Sequence, residues 1–173
     1  MTVVVDTNVI LTANRQHAGV SEACIVSCAR RLHEIVTGGR VVIDDEYRIL
    51  KEYKNRTTPH IGKRPGDAFV KWLLRNNANA ARCDQVKLLE HEQRGFESFP
   101  EDDRLETFDA ADRKFVAVAC AHAGRPPVAQ ATDSKWIDWA PALRDHGVNV
   151  EFLCPGDIQG FDDRKKRRKG RGR

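Results

Sequence analysis

Short apolar runs that stop on a carboxylate constrain this chain more than any other feature. Val3-Val4-Val5 ends at Asp6, Val41-Val42-Ile43 ends at Asp44 and Asp45, and Pro127–Ala131 closes on Thr132-Asp133. A continuous β-branched run has no polar face to offer solvent. It suits a strand covered on both sides, the usual condition of a parallel sheet. Val86–Leu89 and Val148–Leu153 are two further strand candidates.

Helical spacing fills the intervals. Cys24, Ile25, Cys28, Leu32 and Ile35 recur every three or four residues, with Ser21 as N-cap and Gly38-Gly39 as the stop. A loop containing Gly19 is expected before that helix. Glu46–Lys54, Asp67–Ala81, a segment opening at Asp112 and ending at Gly124, and Ser134–His146 repeat the pattern. Residues 55–66 are rich in Pro, Gly and Thr and read as a loop. Strands alternating with helices predict an α/β fold around a mainly parallel sheet of roughly five strands.

Charge divides the chain in two. Eight of the 29 basic residues lie in the last ten positions, Arg164–Arg173, which hold no acid, so the body before them is mildly acidic. A self-repelling segment with nothing to bury is expected to be disordered. We therefore place a folded domain at residues 1–160 and a disordered basic tail at 161–173, an electrostatic arm for phosphates or else a solubility tail. The longest run free of polar side chains, Phe115–Ala121, is too short to span a membrane. The start of the chain lacks the pattern of a secretory signal. No membrane partner is expected, and the expected location is cytoplasmic. Cys24, Cys28, Cys83, Cys120 and Cys154 show neither a C-x-x-C pair nor zinc spacing, and are expected to be buried free thiols.

In parallel sheets the chemistry collects beyond the carboxyl ends of the strands. Asp6 and Asp133 sit at such ends, Asp112 opens a helix, and Glu52 lies on the helix after the second strand, with Glu46 as its rival. Each alone is also explained as a cap, a macrodipole partner or a solvated charge. If the first and fourth strands are neighbours, the four acids converge. Unpaired carboxylates repel, and such a cluster persists where a hard divalent cation neutralises it. Mg²⁺ or Mn²⁺, as one or two ions, is the expected cofactor, and phosphodiester hydrolysis is chemistry that such ions support.

The sequence resembles the PIN domain family, the ribonuclease fold of virulence-associated (VapC-like) toxins and of several RNA-processing nucleases. The resemblance rests on Val3–Val9, Ile49–Tyr53, Asp112–Ala119 and Ala131–Trp136, which together span residues 2–153. It implies a three-layer α/β/α sandwich and an endoribonuclease that leaves 5′-phosphate and 3′-hydroxyl ends. Asp6, Asp112 and Asp133 would bind the metal, and Glu52 would complete the site or orient the attacking water. Asn8 would orient Asp6 or a water, and Arg113 would contact substrate. The family often carries a second acid two residues after the last aspartate; here that position is Lys135, before Trp136. Lys135 would then contact a substrate phosphate, with Asp109, Asp103 or Asp138 as substitute acids. Expected partners are RNA, an antitoxin or other regulatory protein, and a second copy of the chain.

Two other readings compete. Lys135 favours a catalytically degraded PIN domain acting as a nucleic-acid-binding module. A nucleotide-binding or redox α/β domain lacks support, because no Gly-rich phosphate loop follows any strand candidate.

Overall fold

The structure, a computed structural model, describes residues 1–170. In chain order β1 (Thr2–Val5) leads into α1 (Thr7–Ala13) and α2 (Glu22–Gly38), then β2 (Arg40–Asp44), α3 (Arg48–Arg56), α4 (Pro65–Asn76) and β3 (Cys83–Val86). A hairpin of β4 (Glu90–His91) and β5 (Gly95–Phe96) and a 3-10 turn at Asp103–Leu105 follow. The chain ends with α5 (Arg113–Ala121), β6 (Val128–Gln130), α6 (Lys135–Asp145), β7 (Val150–Phe152) and α7 (Pro155–Gly170).

Five strands form one sheet in the order β3-β2-β1-β6-β7, and every neighbouring pair is parallel. β1 is central, and its Val3, Val4 and Val5 are fully buried, as a strand covered on both faces requires. The connection from β1 to β2 steps one way across the sheet and that from β6 to β7 steps the other. Right-handed crossovers then put the intervening helices on opposite faces, which gives an α/β fold consistent with three layers. The strand order reverses between the parallel strands β1 and β6, so a crevice opens beyond their carboxyl ends. Asp6 ends the first of these strands, and Asp133 lies three residues past the second.

Several elements differ from expectation. Residues 7–13 form α1 rather than a loop; at seven residues it is too short for periodicity to reveal, and Asp6 starts it by accepting from the Asn8 backbone N–H. The third strand lies at Cys83–Val86 rather than Val86–Leu89. It is an edge strand, and adjacent polar residues on opposite faces, Asp84 and Gln85, interrupt the apolar run that marks a buried strand in the sequence.

The cysteines differ too. Cys24 and Cys154 form a disulfide across 130 residues, while Cys28, Cys83 and Cys120 are free. Pairing cannot be deduced from spacing, so the expectation of free thiols fails for these two residues. No helix among the described residues is long and apolar enough to cross a membrane.

Part of the expected disordered tail is helical, because α7 runs through Gly170; residues 171–173 lie outside the described residues. Its anchors are non-local and therefore invisible to composition. Ile158 and Asp162, one turn apart, are buried, and Lys166 closes an ion pair on Asp162 at 2.6 Å. Asp157 accepts from the Ser21 N–H at 2.6 Å and its hydroxyl at 2.7 Å, docking α7 on the start of α2.

Candidate active site

Asp6 is buried at the end of the central strand, with its Oδ1 held by the Asn8 N–H at 2.8 Å. Its Oδ2 is buried and has no hydrogen-bond partner. Burial pushes its carboxyl well above the ordinary range; Asp112, Glu52 and Asp133 push the same way, while the Asn8 N–H opposes. The contrast with Asp44, at the end of β2, is informative. Asp44 is equally buried but caps α3, accepting from the N–H groups of Arg48 at 2.8 Å and Ile49 at 2.9 Å. One strand-end aspartate is satisfied by a helix; the other keeps an oxygen in hand.

Glu52, on α3, faces Asp6 and is fixed at both oxygens. The Thr7 hydroxyl donates to Oε1 at 2.5 Å, and the Lys114 ammonium meets Oε2 at 2.6 Å. Beside it the buried Tyr53 hydroxyl donates to the Val5 carbonyl, tying α3 to the strand that delivers Asp6.

Asp112 precedes α5 without capping it. Burial lifts its carboxyl to about 6; Lys114 opposes, while Asp133, Asp109 and Glu52 add to the rise. Asp133 precedes α6 and accepts from the Lys135 N–H at 3.0 Å. One oxygen each from Asp109, Asp112 and Asp133 lies within 4.8 Å of the others. Asp109 is in turn paired with Lys135 at 2.7 Å.

The structure thus brings Asp6, Glu52, Asp112, Asp133 and Asp109 together and separates other candidates from them. Glu46 lies before α3, exposed and paired with Arg48 at 2.8 Å, and is not among the acids that perturb one another. Asp103 and Asp138 are exposed and outside that group. Arg113 is not free for substrate. As the first residue of α5 it turns back on the preceding loop, donating to the carbonyls of Phe108, Gln93 and Glu106. Asn8 lines the crevice, but it is its backbone that orients Asp6. Thr7, Tyr53 and Lys114 are the site residues that sequence reasoning missed. Thr7 stands inside the Asp6-Thr7-Asn8 motif; Lys114 gave no signal, since a lysine in a first helical turn is ordinarily solvated.

A crevice of about 510 Å³ lies over Asp6, Glu52 and Asp112 and is lined also by Lys51 and Arg56. A second, of about 470 Å³, shares Asn55 and Arg56 with it and adds Lys63 and Arg64. Beyond Asp109 a third holds Arg104, Lys135 and Lys165. Basic side chains therefore flank the acids on both sides. Among the described residues, Lys51, Arg56 and Lys63 pair with no carboxylate. The donor set itself suits Mg²⁺ or Mn²⁺: Asp6, Asp112 and Asp133 offer hard oxygens without a direct ion pair, one of them a buried oxygen with no bond.

No protein-family model, curated protein or solved structure matches the chain.

Proposed function

We propose that the chain is a metal-dependent endoribonuclease of the PIN type, with Asp6, Asp112 and Asp133 as ligands of Mg²⁺ or Mn²⁺. The observation that carries this reading is the buried, unbonded Oδ2 of Asp6 amid mutually repelling acids at the sheet's reversal point. Repulsion of that kind is a standing cost that a divalent cation removes. When bound, such an ion lowers the pKa of a water and stabilises the leaving oxygen. The chain's own contribution is positional. Thr7 and Lys114 hold Glu52 still at the crevice wall, where a carboxylate oxygen would orient an attacking water. Lys51 and Arg56 on one side, and Lys135 and Lys165 on the other, would hold RNA phosphates across the acids. A role as a toxin or defence effector, a cytoplasmic location, and an antitoxin, regulator or second copy as partner accompany this reading.

Single-stranded RNA incubated with the protein and Mn²⁺ is expected to be cut internally, leaving 5′-phosphate ends, and to survive intact in excess EDTA. Full cleavage in the chelator would sink the metal reading. RNA binding without cleavage in Mn²⁺ would favour the second reading, a binding module, which the two lysines inside the acid group support.

The basic C-terminal segment has its own expected signature. Glutamine at Arg167, Arg168, Lys169, Arg171 and Arg173 leaves the Asp162–Lys166 pair in place. The slope of log K for RNA against log salt should become shallower by about 0.7 for each phosphate that the segment no longer neutralises, or roughly 3 for about four phosphates. Fluorescence anisotropy at several salt concentrations measures it; an unchanged slope would make the segment a bystander.

A further inference from the structure

Lys114 is buried beside the acid cluster, and its surroundings do not leave it there by accident. Its side chain is only 11% exposed, and its ammonium donates to the Ala111 carbonyl and meets Glu52 Oε2 at 2.6 Å. The ammonium also lies 4.6 Å from the centre of the Phe115 ring. A lysine stripped of water needs an acid partner, and the half-buried Glu52 supplies it. With Thr7 on Oε1, both Glu52 oxygens already carry a donor.

This arrangement sorts the acids. Glu52 is neutralised internally by Lys114, and Asp109 is neutralised by Lys135 at the more exposed rim. Asp6, Asp112 and Asp133 make no direct ion pair among the described residues, although Lys114 lies near enough to Asp112 to act on it. A second ion would have to draw its ligands from Glu52 and Asp109, and both of these already carry a lysine. We propose that Lys114 is a built-in cation of the cluster, standing in the electrostatic place of a second metal, so that the site takes a single divalent ion. The inference rests on the nuclease reading and makes Lys114 a positioning residue: it removes Glu52 from the ligand set and holds it ready for the substrate side.

Calorimetric titration of the full chain with Mn²⁺ tests this without any activity measurement. Wild type is expected to take one ion. Lys114→Met frees the Glu52 carboxylate and should admit a second. Glu52→Gln should keep the single ion, weakened by no more than the roughly 10- to 100-fold of a group outside the ligand set. Asp112→Asn should lose it. Two ions in wild type, or one in a folded Lys114→Met, would overturn the inference while leaving the nuclease reading standing. If Lys114→Met does not fold, Glu52→Gln decides: complete loss of Mn²⁺ there would make Glu52 a ligand and overturn the inference. No ion in wild type would overturn both.

Discussion

Replacing Asp6 by asparagine is expected to slow RNA cleavage by roughly two to three orders of magnitude and to leave the melting temperature at or above that of wild type. Asparagine keeps the shape and can still accept from the Asn8 N–H that Oδ1 now binds at 2.8 Å. What it removes is a charged metal ligand, worth several kcal/mol of transition-state stabilisation, and about 1.4 kcal/mol accounts for each tenfold in rate. The stability expectation follows from the same charge. Asp6 is opposed by burial and by Asp112, Glu52 and Asp133, so an uncharged side chain there relieves the metal-free protein. Single-turnover cleavage in Mn²⁺ and thermal melting in EDTA read the two effects separately. Cleavage at the wild-type rate would remove Asp6 from the site.

The second large effect is a stability profile that runs against habit. A carboxyl whose folded pKa lies above its unfolded value binds more protons folded than unfolded. The stability it contributes is complete below the unfolded value of about 4 and is lost as pH rises through the folded one. Asp112 rises to about 6, and Asp6 shifts in the same direction. In EDTA the protein should therefore melt lower at pH 7.5 than at pH 5. For Asp112 alone the loss is on the order of 1 kcal/mol once solvent screening is allowed for, or about 2–4 °C. Excess Mn²⁺ at pH 7.5 should reverse the loss: at about 100 times its dissociation constant, a ligand adds about 2.7 kcal/mol. Melting curves in EDTA that are flat across this range, or that rise with pH, would mean the acids are not under the strain described.

What the sequence reveals of this molecule follows from the range of the physics involved. The buried strands are legible because an apolar run such as Val3–Val5 has only one stable environment, and the carboxylates that end such runs mark the sheet's carboxyl edge. Ser21 is legible as a cap, because the bond from the Cys24 N–H is local. Lys114 is not, since its meaning depends on Glu52, sixty-two positions away, lying within 2.6 Å. Arg113 misleads for the mirror reason: beside Asp112 it looks like a substrate contact, but the fold has already given its donors to three carbonyls. The docking of α7 escapes for the same reason, because composition counts its charges and cannot see Asp157 reaching Ser21.

The Cys24–Cys154 bond has a topological consequence. It closes residues 24–154 into a covalent ring, leaving two strings outside it: the first 23 residues and everything after 154. The first string contains β1, so the central strand of the sheet lies hydrogen-bonded between β2 and β6, which both belong to the ring. Asp6 arrives on that string, while Glu52, Asp112 and Asp133 belong to the ring. A single cut in the backbone of the ring would open it without releasing a piece. A cut between Asp6 and Cys24 would leave the first acid held by hydrogen bonds and packing alone.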